Sequence, residues 1–134
     1  MSTSVINRQI FAKHLLHGIA ATLAASAFCG IFTAVYYQFS HYVYSDYMTY
    51  MFLCPLVCGT LVYAVLYLFR THVNGSRLAF NLNNSGIAML TVGMCFVGVL
   101  EIAGGDSPYI LFFFIGGIAF IIAAAVAFIV AQTR

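Results

Sequence analysis

From Tyr109 to Ala131 the chain reads YILFFFIGGIAFIIAAAVAFIVA, with no charged side chain and no polar group beyond the tyrosine hydroxyl. A helix needs about 20 mostly apolar residues to cross a bilayer core about 30 Å thick, and this stretch is long enough. A strand of a membrane β-barrel would alternate apolar and polar residues. No alternation is present, so the stretch reads as a transmembrane helix. Three further stretches meet the same test: about His14 to Tyr37, about Thr49 to Phe69, and about Asn84 to Gly104.

Composition agrees with this reading. Of 134 residues, 63% are hydrophobic and 6% are charged. A soluble domain carries about 25% charged residues, and this chain has too few to cover a water-exposed surface. A disordered chain would need the opposite balance. The expected fold is an all-α integral membrane protein, a four-transmembrane-helix bundle, with residues 1–134 as a single membrane domain. The start of the chain has some features of a signal peptide. Arg8 and Lys13 are basic, and Ala25-Ser26-Ala27 is a small-residue run of the cleavable type. The apolar run nevertheless continues to Tyr37, and Phe28 precedes Cys29 where a lipoprotein signal needs a small residue. An uncleaved first helix is expected.

The charges divide by side. Arg8 and Lys13 precede the first span, Arg70 and Arg77 join the second to the third, and Arg134 ends the chain. With four spans these regions share one side. Asp46, Glu101 and Asp106 fall at or near the other. Basic residues in short loops mark the cytoplasmic face, so both termini are expected there, in the cytoplasmic (plasma) membrane. Dual-topology insertion needs a weak Lys/Arg bias, so any self-assembly is expected to be parallel. Tyr36, Tyr37, Tyr42, Tyr44, Tyr47, Tyr50 and Tyr109 gather near the acidic side, where amphipathic rings anchor at headgroup level.

Helices in lipid associate through small residues and hydrogen bonds. The sequence offers Ala20, Ala21, Ala24, Ala25, Ser26 and Gly30 in the first span. It offers Gly86, Gly93 and Gly98 in the third, and Gly116, Gly117, Ala119, Ala123, Ala127 and Ala131 in the fourth. Pro55 removes a backbone donor and predicts a kink near Met51. Asn84 or Ser85 is expected to cap the third helix.

Several groups are candidates for chemistry. Glu101 lies about one turn inside the third span, where an ionisable group is costly and points to ion or substrate contact. The alternative is a bond to a polar residue of the outer loops. His41, Asp46 and Asp106 project to the same side and complete a candidate ion or substrate cluster, without the fixed spacing of a metal motif. His14 and His17 share a helix face. With His72 they are candidate axial ligands for haem b, or else ordinary interfacial histidines. Cys29, Cys58 and Cys95 lie at similar depth, with Cys54 one turn above Cys58. A quinone-linked thiol role competes there with the simpler one of small buried apolar residues. Arg70 and Arg77, near the start of the third helix, are candidates for an anionic lipid headgroup.

The chain has no phosphate-binding loop, dinucleotide fingerprint, zinc-protease helix or nucleophile elbow. Its few basic residues are accounted for by topology, so nucleic acid is not indicated. The expectation is a small polytopic protein that is not an enzyme. It would act as a subunit or partner in a membrane complex or a parallel homo-oligomer, with the lipid bilayer as its solvent. The alternatives are a small ion or solute transporter using Glu101 and the outer polar cluster, and a membrane redox protein carrying haem b or working through quinone and thiols.

Overall fold

The computed structural model describes residues 3–69 and 76–133, with side chains from residue 9 onward. It is all-helical there. Helix α1 runs Thr3–Phe39, α2 Asp46–Tyr50, α3 Val62–Leu68, α4 Arg77–Ala103 and α5 Ile110–Thr133, and a π-helical segment occupies Pro55–Leu61. Four stretches are long and apolar enough to cross a membrane: Gln9–Phe39, Asp46–Leu68, Arg77–Ala103 and Ile110–Thr133.

The boundaries differ from the expected ones in informative ways. Helix α1 continues two residues past Tyr37. The second span begins at Asp46 rather than Thr49, because Ser45 caps it: its side chain accepts a hydrogen bond from the Met48 amide. Helix α4 begins seven residues before Asn84. Its cap is Ser76, whose side chain accepts from the Ala79 amide, so Asn84 and Ser85 are interior positions and cap nothing. The end of α4 is set by Gly104, in the left-handed region at φ 72°, a conformation open to glycine without a Cβ penalty. The Gly104 amide bonds back to Glu101 and Leu100 carbonyls.

Pro55 breaks the second span as its chemistry requires. The helix is interrupted at Met51 and Phe52, and the chain then adopts wider π turns. The Cys54 amide turns back to the Met51 carbonyl at 3.2 Å and the Leu56 amide to the Phe52 carbonyl at 3.4 Å. Carbonyls around the break take further donors besides these amides. Neighbouring helices supply them. Thr33 Oγ1 donates to the Met48 carbonyl at 2.9 Å, Ser26 Oγ to the Phe52 carbonyl at 2.9 Å, and Asn83 Nδ2 to the Cys58 carbonyl at 3.1 Å. Thr22 and Thr60 hydroxyls meet at 2.9 Å. One side chain after another from α1 and α4 therefore stitches to the second span.

The four spans lie in chain order. Helix α1 packs against the second span, the second span against α4, and α4 against α5; among the described residues α1 and α5 have no close backbone contact with each other, and α5 has it with α4 alone. The α4–α5 hairpin closes where Gly86 faces Gly117. A Cβ at Gly86 would stand 2.8 Å from the Gly117 carbonyl oxygen, and one at Gly117 would stand 3.1 Å from that of Gly86. Gly86, Gly93 and Gly98 are all buried. The alanine stripe of α5 is placed differently. Gly117 and Ala124 are buried, whereas Ala119 and Ala123 are exposed. The alanines Ala20, Ala21, Ala24 and Ala25 of α1 are also exposed, and α1 uses Thr22, Ser26, Cys29 and Thr33 as its packing face. Hydroxyl groups that can reach a broken partner helix take precedence over methyl groups that cannot. Near the basic end, Phe11, Leu15 and Tyr63 form a core, with Phe80 edge-on to Phe11 at 5.8 Å.

Candidate functional site

At the acidic end, Glu101 is solvent-accessible rather than enclosed. Its Oε2 accepts a hydrogen bond from Ser45 Oγ at 2.5 Å. Ser45 is only 2% exposed, so the bond ties α4 to the capped start of the second span. Ser45 is further fixed by Tyr37, whose hydroxyl donates to the Ser45 carbonyl at 2.6 Å and lies 2.6 Å from Thr49 Oγ1. The bond of Glu101 to a polar residue outside its own span, one of the two expectations for this residue, is thus present in the fold.

The rest of the expected outer cluster is partly assembled. Glu101 and Asp106 line one cavity of about 550 Å³ beneath the α4–α5 turn, together with Ser107 and Phe114. Asp106 Oδ1 accepts from the Ser107 amide at 2.7 Å. Asp46, exposed, is the first residue of α2 beside Ser45. His41 is exposed in the preceding turn, at φ 51° with Tyr42 at φ 70°. Two successive left-handed residues reverse the chain there, and Ser40 Oγ reinforces the turn at the Tyr37 and Val43 carbonyls. Among the described residues no three His, Cys, Asp or Glu side chains are placed to hold a metal ion.

At the basic end, His14 and His17 are exposed on α1, and Arg77 is exposed at the start of α4. Arg70 and His72, the other candidates on this side, lie outside the described residues.

A second space has no signature in the sequence. Between α1 and α4, over Met51 and Pro55 of the second span, runs an apolar groove of about 660 Å³. Ala21, Ala25 and Phe32 form one wall, and Asn84, Ala88 and Cys95 the other. It exists because α1 and α4 are held apart by the second span, and because small side chains line it. Cys29 joins Cys95 in the lining, and all four cysteines are free thiols. The similar depth of Cys29, Cys58 and Cys95 is legible from residue counting; that Cys29 and Cys95 border a groove required the tertiary arrangement. Asn84 stands at the groove's basic end. Its Oδ1 accepts from the Tyr63 hydroxyl at 2.7 Å, while its amide nitrogen has no partner among the described residues. Asn83, one residue earlier, spends its amide on the Cys58 carbonyl and the Tyr63 hydroxyl.

Comparison with protein-family profiles, with curated proteins and with solved structures found no match for this chain.

Proposed function

We propose that the protein is a non-catalytic membrane subunit that assembles laterally with a second membrane protein or with parallel copies of itself. The observation that carries this reading is the arrangement of spans in a row. Helix α5 makes close backbone contact with α4 alone among the described residues, touches the second span through the Tyr47–Phe114 ring pair, and carries on its far face the small residues Ala119 and Ala123, exposed. Small residues let helices approach closely in lipid, where association depends on packing rather than on hiding apolar surface. The one-sided distribution of basic residues supports a parallel arrangement for any self-association.

Cross-linking in native membranes tests the proposal. All four native cysteines are replaced by Ala or Ser, and a single cysteine is placed at Ala119 or at Ala123. The expected outcome is a discrete cross-linked product, either a homodimer or one defined larger species, and none from a cysteine at Ala103. A protein that stays uncross-linked at both positions, and extracts in mild detergent as a monomer, removes the proposal.

A transport reading is favoured by one observation, the shared cavity of Glu101 and Asp106. It requires Glu101→Gln to abolish flux in liposomes. Unchanged flux takes Glu101 out of any such mechanism.

A further inference from the structure

We propose that the groove between α1 and α4 binds an anionic phospholipid, with one acyl chain along the groove and the phosphate at its basic mouth. This inference does not depend on the assembly proposed above. Three observations support it.

The first is shape. From Ala21 to Phe32 on one wall, and from Asn84 to Cys95 on the other, the groove spans twelve residues, or eleven helical steps. At 1.5 Å per residue this is about 16 Å, close to half of a bilayer core about 30 Å thick. That is the depth one leaflet's acyl chain occupies. The groove is about 660 Å³ and its lining is apolar apart from Asn84 and threonine hydroxyls, and those of Thr22 and Thr91 already donate to backbone carbonyls of their own helices.

The second is the free donor. The Asn84 amide nitrogen stands at one end of the groove without a partner among the described residues. Asn84 is exposed there, and an ester carbonyl at the top of an acyl chain is an acceptor within reach of an amide so placed.

The third is charge. Residues seven apart share a helix face. Arg77 is seven before Asn84, and His14 is seven before Ala21, with His17 four before it. Phe11 and Phe80 meet between α1 and α4 just beyond the groove, and past that ring pair the two helices carry exposed Arg77, His14 and His17. A basic mouth between helices, leading to an apolar slot, complements an anionic headgroup joined to a tail.

Native mass spectrometry of the full chain in mild detergent, supplied with phosphatidylglycerol or phosphatidylcholine, tests the site. The wild type is expected to retain one phosphatidylglycerol, about tenfold in preference to phosphatidylcholine. Ala88→Phe, which fills the groove, is expected to lower that retention about tenfold or more. Arg77→Gln lies on an exposed surface and leaves the packing intact. It is expected to reduce the preference for the anionic lipid about fivefold, in line with one basic contact. Ala119→Phe, on the far face of α5, is expected to change neither. Equal retention of the two lipids by the wild type overturns the proposal. So does unchanged phosphatidylglycerol retention in Ala88→Phe, or a different apolar molecule, such as a quinone, as the species that Ala88→Phe expels. Thermal melts of each variant identify loss of fold. If Ala88→Phe fails to fold, the Arg77→Gln result decides alone: an unaltered lipid preference overturns the site.

Discussion

Ser45 and Glu101 show how a single residue can be read in two ways until its partner is known. A carboxylate one turn inside a span invites a functional reading because charge in lipid is costly. In the folded chain it reaches the surface and bonds a buried serine that caps the second span. Ser45→Ala should remove both the cap and the clasp. A lost N-cap costs about 1 kcal/mol, and an unfolding titration in bicelles should show a destabilisation of that order or somewhat more. A double-mutant cycle with Glu101→Gln should show coupling between the two positions; independent effects would mean that the clasp contributes nothing. Glycines give a second contrast at this scale. Gly86→Val places a side chain against the Gly117 carbonyl and should destabilise the α4–α5 hairpin by about 1–3 kcal/mol, the usual cost of overpacking. Gly30→Ala should be tolerated, since nothing lies within 4 Å of a Cβ there. The same unfolding titration separates them.

Among the elements, the second span is the unusual one. Its break is legible in sequence from Pro55 alone, since proline cannot donate to the ladder. The π-helical run from Pro55 to Leu61 is not legible. It depends on which carbonyls Ser26, Thr33 and Asn83 reach from the two flanking helices, and residues so distant in sequence carry no local signal of one another. If these side chains hold the π register, Pro55→Ala alone should leave most of it in place. Pro55→Ala combined with Ser26→Ala should let the span relax towards regular α-helix and lengthen. Spin labels at the exposed Tyr50 and Leu61 positions would report the distance. Lengthening in Pro55→Ala alone would show that the proline, and not the lateral hydrogen bonds, sets the register.

For the molecule as a whole, the consequence of the row is that interior and exterior are not what spacing implies. The alanines of α5 at spacing four read as a packing stripe, yet α4 docks on Gly117 and Ala124 instead, because backbone can approach backbone at a pair of glycines. The displaced stripe at Ala119 and Ala123 then faces outward, where the cross-linking test looks for a partner. The groove arises at the same scale. No single helix encodes it, since it is the gap left when α1 and α4 both lean on a kinked middle span.

The amino-acid sequence by itself determined that the protein is helical, that it has four helices long and apolar enough to span a membrane, about where these lie, and that its basic and acidic residues fall towards opposite ends of them. These follow from hydropathy, helix rise and the cost of charge in lipid, all of which act locally along the chain. Only the tertiary structure decided which face of each helix is interior, that Glu101 clasps Ser45, and that Asn84 lines a groove with an amide to spare. Lipid rewards no apolar face over another, so packing is chosen by close backbone approach and by hydrogen bonds between distant residues, and those exist only once the helices have met.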